Sequence, residues 1–415
     1  MNYQVNNLII QLALPLSPWL FISWTPTELL QSLIFETMNK VAASPGSSDD
    51  IWHDVGPYAP GRYTIRDVAA VLPGRVLPRA SVHVENGVIV DIREDLLAGP
   101  LSLDGRGLVL MPGLVDLHTD IIERTAQPRP GVTMPADVAL AAAAGELTGA
   151  GVTTAFHGVA FASTRGRTRD TTVAHELVQV LTVRHRARPL GDHRLLLRLE
   201  LHSPSGWDVL EQLRSLAIRP DRAAVAWQCH PDVSPPENSP VPRLGRLSSL
   251  ARDLGVRVLA HDLTTADEVD AARAAGAAIA EFPTTRDAAA AARTAGLPVV
   301  MGAPNVLRGG SHTGNVSALD LVAAGLCTAL ASDYLPASML CALPRLVDAV
   351  GLPSAARLLT TGPADAAGLT DRGRLAVGAR ADLLLADLSG SVPAVRGVWH
   401  ADPSESGPSI AMSPG

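Results

Sequence analysis

The chain of 415 residues is long enough for one large α/β domain with a smaller appendage. Its formal net charge of −7 and the lack of any dense Lys/Arg tract exclude an electrostatic nucleic-acid binder. The three cysteines, Cys229, Cys327 and Cys341, form no C-x-x-C pair and read as reduced thiols of a cytoplasmic protein, not as a disulfide framework.

Residues 8–24 (LIIQLALPLSPWLFISW) are the one strongly apolar run. No basic stretch precedes it, as a secretory signal would need, and Pro15 and Pro18 make it a poor membrane span. No membrane association is expected. Residues 1–61 read as a poorly structured N-terminal extension, within which Met38 offers an alternative start, and residues 403–415 read as a disordered tail.

From residue 62 the pattern becomes regular. Residues 62–110 alternate apolar and polar side chains in short runs such as ASVHVENGVIVDIRE, where Asn86-Gly87 supplies a hairpin turn. Residues 373–402 contain the similar runs ADLLLADL and AVRGVWH. The two ends are expected to meet in one small antiparallel β-domain of sandwich type.

Residues 111–372 alternate strand-like and helix-like segments, the signature of a parallel sheet with crossover helices. Eight apolar runs qualify as strands: 113–118, 152–157, 195–201, 223–230, 257–261, 277–282, 298–302 and 327–333. Eight βα units predict an α/β fold of the (β/α)8 TIM-like barrel type. No G-x-G-x-x-G turn follows the first strand, which argues against a doubly wound sheet.

In such a barrel the functional groups stand at the C-terminal ends of the strands. Those ends carry His118 and Asp120, Glu200, His230, His261 and Asp333. Residues 118 and 120 share one side of an extended strand, so both reach the same ion. Three imidazoles and three carboxylates on one rim suit borderline divalent cations, and six ligands suffice for two ions with positions left for water. A lone H-x-D is common by chance, and Ser332-Asp333 could equally open a helix as its N-cap. The recurrence at separate strand ends gives the set its weight. His157 and His202 read as supporting or structural residues. Cys229 should point away from His230 into the packing layer. His53, His83, His175, His185, His193 and His400 have no convergent partners in the sequence.

The leading motif MPGLVDLHTD, this ligand pattern and a β-domain built from both chain ends resemble the amidohydrolase superfamily. Within it, LHTD with PRPG (117–120, 128–131), AHDLTT (260–265), AEFPTT (280–285), MGAPNVLRGGSHTGNVSA (301–318) and ASDYLPASML (331–340) resemble the PhnM family of phosphonate metabolism, the α-D-ribose 1-methylphosphonate 5-triphosphate diphosphatases. The likeness runs from about residue 65 to 400. It implies hydrolysis of a phosphoanhydride in a phosphorylated sugar, to the 5-phosphate and pyrophosphate, in phosphonate catabolism. Many members of the superfamily bridge two metals with a carbamylated lysine, whereas the only lysine here is Lys40. The resemblance therefore implies a carboxylate bridge by Glu200 between two ions, zinc ahead of manganese or iron. His118 and Asp120 would hold one ion and His230 and His261 the other. Asp333 would bind a metal and take a proton from the attacking water.

Arg308-Gly309-Gly310-Ser311-His312 fits a phosphate-handling loop. Its glycines let backbone N–H groups approach an anion, Arg308 pairs bidentately, and His312 protonates a leaving oxygen. A plain surface turn is the bland alternative. Arg129, between Pro128 and Pro130, is a second anion-binding candidate. A homo-oligomer is compatible with all of this. Two other functions remain open at this point. One is an amidohydrolase for an amide, a cyclic amide or an amino-purine or amino-pyrimidine. The other is a barrel that binds a phosphorylated ligand without catalysis.

Overall fold

The computed structural model describes residues 61–94, 101–162, 171–182, 190–215, 219–229, 241–311 and 313–401. Residues 1–60 of the expected N-terminal extension, the C-terminal tail, His230 and His312 lie outside the described residues.

The first strands are β1 (Arg62–Leu72), β2 (Arg75–Glu85), β3 (Val88–Arg93), β4 (Ser102–Asp104) and β5 (Val109–Pro112). Between β2 and β3, Asn86 and Gly87 both adopt positive φ (49° and 72°), the backbone that a two-residue hairpin turn requires. The barrel strands follow as β6 (Leu114–Thr119), β7 (Val152–Ala160), β8 (Asp192–Glu200), β9 (Ala223–Gln228), β10 (Arg257–His261), β11 (Ile279–Glu281), β12 (Val299–Gly302) and β13 (Ala329–Ala331). The last strands, β14 (Leu383–Asp387) and β15 (Ala394–Trp399), return to the first sheet.

That sheet runs β15-β14-β5-β1-β2-β3, with β4 also paired to β1, so both chain ends build it. It is mixed where the alternating sequence suggested antiparallel strands alone: β4 and β5 lie parallel to β1. The chain crosses back after β3 and lays these short strands along β1 before it enters the barrel.

The second sheet has eight strands in the order β13 to β6, and its described neighbour pairs are parallel. A parallel bridge between Thr119 and Asp333, with Asp120 N–H donating to Asp333 O at 2.7 Å and Asp333 N–H to His118 O at 2.9 Å, brings the last strand against the first. The eight predicted strands are thus present, each shifted by a few residues at most.

Strand alternation explains the continuous apolar runs. In β8, Leu195, Leu197 and Leu199 belong to the layer between strands and helices, while Leu196 belongs to the barrel lumen. Arg198 and Glu200 share the parity of Leu196 and therefore point inward at the C-terminal end. Ile279 fixes the same parity for Glu281 in β11, and Leu259 for His261 in β10. Strand β6 departs from alternation. Its register against β7 slips between Asp116 and Thr119, and this bulge turns His118 into the lumen beyond Leu117. Among the described residues no helix is long and apolar enough to cross a membrane.

Candidate active site

The centre of the site is His118, 1% exposed. Its Nδ1 lies 2.9 Å from Glu281 Oε1, and its Nε2 lies 3.4 Å from Asp120 Oδ1. Glu281 Oε2 is 3.9 Å from His261 Nε2, so one carboxylate stands between two imidazoles from opposite sides of the barrel. Asp120 in turn meets Arg198, whose Nη1 donates to both carboxylate oxygens at 3.0 and 3.1 Å, while Nη2 donates to Gln228 Oε1 at 3.3 Å. Asp116 secures the floor by accepting from the N–H groups of His118 (3.2 Å) and Ser332 (3.0 Å).

Burial opposes charge on His118, but Glu281 and Asp120 outweigh it and push the imidazole up to about 10. Burial also works against the Glu281 carboxylate, yet His118 and His261 keep it below its ordinary value. Burial raises Asp333. The cluster thus draws positive charge to itself. Two fully buried atoms, His118 Nε2 and Glu281 Oε2, have no hydrogen-bond partner. Imidazole and carboxylate donors with unmet lone-pair capacity fit a borderline divalent cation. The donor atoms of His118, His261 and Glu281 lie within 4.8 Å of one another, as do those of His118, Asp120 and Asp333. The residues present fit a metal.

Three residues at the strand ends adopt left-handed backbone: Asp262 (φ 58°), Phe282 (φ 52°) and Asp333 (φ 57°). Such φ values are uncommon outside glycine and cluster where geometry is imposed by function. They turn the chain sharply after His261 and Glu281 and at Asp333 itself.

Of the expected ligands, His118, Asp120, His261 and Asp333 come together here. Glu200 does not join His118. Among the described residues, its ligand atoms group with those of His202 and Cys229, the three lying within 4.8 Å of one another. Cys229 was expected in the packing layer, and it is instead exposed beside that group. The reason is that β9 ends at Gln228, so strand alternation no longer governs residue 229. His157 and His193 lie on the outer side of the barrel wall, 2.8 Å apart, where they serve structure.

Glu281 and Arg198 were not singled out from the sequence. Each carried a signal, being a charged residue at the inward parity of an otherwise apolar strand.

The expected phosphate loop begins with the helix Ala303–Arg308, which ends at Gly309 in left-handed conformation (φ 77°). Asn305 staples the loop, accepting from Ala318 N–H at 2.9 Å and donating to Val316 O at 3.2 Å. Arg308 donates to Gly310 O (3.2 Å) and Tyr334 Oη (3.4 Å). Ser311 Oγ accepts from Thr313 N–H at 3.1 Å. A pocket of about 240 Å³ joins the two regions, and Arg198, His261, Asp333, Arg308 and Ser311 all line it. Arg129 is exposed in a tight turn with Val132 and does not line this pocket.

Comparison with known proteins agrees with this geometry. The chain is 33% identical over 372 residues to the α-D-ribose 1-methylphosphonate 5-triphosphate diphosphatase of Escherichia coli K12, covering 81% of this chain and 98% of that protein. In fold it is similar to the dihydropyrimidinase of Brevibacillus agri (TM-score 0.61, 14% identity, 82% of this chain and 94% of that one). It is also similar to an amidohydrolase from an environmental sample of the Sargasso Sea (TM-score 0.60, 17% identity, 82% and 91%). No family profile matches the chain.

Proposed function

Because the chain belongs to the family of α-D-ribose 1-methylphosphonate 5-triphosphate diphosphatases, we propose that it hydrolyses a phosphoanhydride of such a ribosyl triphosphate. The products are the 5-phosphate and pyrophosphate. The observation that carries this reading is the shared pocket, in which Arg308 and Ser311 open onto the same space as His261 and Asp333.

We assign metal binding to His118, His261 and Glu281, with Asp120 and Asp333 beside them. A bound divalent ion lowers the pKa of water and offsets charge on phosphoryl oxygens. The chain's own residues do the rest. Asp333, raised by burial and held at the barrel rim, accepts the proton of the attacking water. Arg308 orients the polyphosphate, since a guanidinium pairs with two phosphate oxygens at once. The N–H groups of Gly309 and Gly310, expected to approach the anion, instead cap the helix by donating to Val306 O (3.2 Å) and Asn305 O (3.0 Å). His312 follows in sequence and supplies a proton to the departing pyrophosphate.

The test is pyrophosphate release from the ribosyl 5-triphosphate by the purified metal-loaded protein. Turnover that yields the 5-phosphate supports the reading. No pyrophosphate from any sugar triphosphate, together with turnover of an N-acyl or cyclic-amide substrate, would replace it with an amide hydrolase.

A further inference from the structure

Phe282 holds a backbone conformation that its own side chain resists. Of the three residues with positive φ at the strand ends, Asp262 and Asp333 are of a type that tolerates it. Phe282, at φ 52°, is not, and a bulky side chain there is a true outlier. Its N–H donates to Val300 O at 2.8 Å, which fixes the turn after Glu281. Such strain persists only where the surroundings impose it, and it calls for a use of the ring.

The ring packs against both imidazoles of the centre. Its centroid lies 5.3 Å from that of His118, tilted by 46°, and 5.4 Å from that of His261, edge-on at 84°. It is nevertheless only half-buried, and it lines the pocket that Arg308 and Ser311 share. Pro283, Met301 and Pro304 extend this apolar lining. An aromatic face is electron-rich, so it repels phosphate oxygens and attracts C–H groups polarised by neighbouring oxygens. A furanose carries such C–H groups and a polyphosphate carries none.

We infer that Phe282 is the sugar platform of the site, a specificity-determining residue on which the ribose of the triphosphate rests. Hydrolysis to the 5-phosphate leaves one phosphate between the cleaved bond and the sugar. The ribose therefore falls beside the metal-binding imidazoles, where the ring stands, and the departing pyrophosphate extends towards Arg308. The inference rests on the ribosyl triphosphate reading above.

The test compares the ribosyl 5-triphosphate with inorganic triphosphate, which has the anhydrides but no sugar, on the full-length metal-loaded protein. Damage to the metal centre lowers kcat/KM for both alike, so their ratio isolates the sugar contact. Phe282→Leu should lower the ratio about 3- to 10-fold, the range of one aromatic contact, and Phe282→Tyr, which retains the ring, should keep it. An unchanged ratio in Phe282→Leu, or an equal loss in both variants, would overturn the platform while leaving the hydrolase reading intact. Failure of the parent to cleave either triphosphate would overturn both. Calorimetry on chelator-treated protein gives a readout without turnover. The parent should bind ribose 5-phosphate more tightly than orthophosphate, and Phe282→Leu should lose that margin. Should Phe282→Leu fail to fold, the parent's margin decides, and equal affinities for the two ligands would overturn the platform.

Discussion

Glu281 and His118, 163 residues apart in the chain, meet at 2.9 Å with the carboxylate completely buried. The contact spans the lumen from β11 to β6 and links the imidazole to His261 on the neighbouring strand. Replacing Glu281 by Gln keeps the shape and removes the charge that both imidazoles and a divalent ion require. Metal affinity should fall by about 100-fold, at the upper end of what groups around a metal contribute, and turnover should fall with it. Metal retained after dialysis against a chelator measures this. A variant that holds its metal as firmly as the parent would remove Glu281 from the centre.

Gly158 has a role that only its missing Cβ explains. A methyl there would press on Asp120 Oδ1 (2.8 Å) and Arg198 Cδ (3.1 Å) and touch His118 Nε2 at ordinary contact distance (3.6 Å). Gly158→Ala should therefore cost about 1–3 kcal/mol of stability by overpacking and a disproportionate share of activity, because the displaced atoms are the site. Gly145, in the helix Ala136–Gly149, is the control: a Cβ there meets no atom within 4 Å. Gly145→Ala should stabilise by about 0.5–1 kcal/mol. Thermal melts with kcat for both variants separate the two effects, and equal activities would mean that Gly158 is mere wall.

Much of this was legible in the sequence. The eight strands could be read because each is a short apolar run buried on both faces, and Asn86-Gly87 fixed its hairpin through local backbone preference alone. His118, Asp120, His261 and Asp333 were recoverable because strand ends are where a barrel presents chemistry. The pairing of Glu281 with His118 was not, since it depends on which strands face each other across a closed lumen. The bulge at Asp116–Thr119 is likewise a product of register against β7, and no pattern within β6 announces it. Glu200 marks a different limit. Its strand-end position was read correctly, but the position alone did not say that its neighbours would be His202 and Cys229.

Arg308 and Arg129 were both expected to hold phosphate, and the structure distinguishes their positions. Arg308 lines the pocket with His261 and Asp333, while Arg129 lies exposed outside it. Arg308→Ala should raise KM for the triphosphate about 10- to 100-fold, from the roughly 1.5–3 kcal/mol of a charge-assisted pair. Arg308→Lys should recover only part, because an ammonium cannot form the planar fork. Arg129→Ala should raise KM less. Steady-state kinetics on the three variants test the assignment, and a larger effect at Arg129 would relocate the phosphate site to the first loop.

His157 and His193 make acid sensitivity a property of the barrel wall. His193 Nε2–H donates to Leu190 O at 2.8 Å, so its Nδ1 accepts from His157 Nε2–H, also at 2.8 Å. Both rings are therefore neutral when folded. Burial drives His193 down to about 4 and places His157 well below its ordinary value. An unfolded histidine titrates near 6.5, so between that pH and about 4 the unfolded chain binds more protons than the folded one. Stability is then complete above about pH 6.5 and declines as the pH falls, by up to about 1.4 kcal/mol per pH unit for each ring. His193→Gln preserves one donor and one acceptor but removes a titrating group. Between pH 6.5 and 5 it should lose about 2 kcal/mol less than the parent, in urea unfolding run with chelator present so that metal release contributes to neither. Parallel pH profiles for the two proteins would show that the ring pair does not set the acid limit, and would shift attention to the carboxylates around His118.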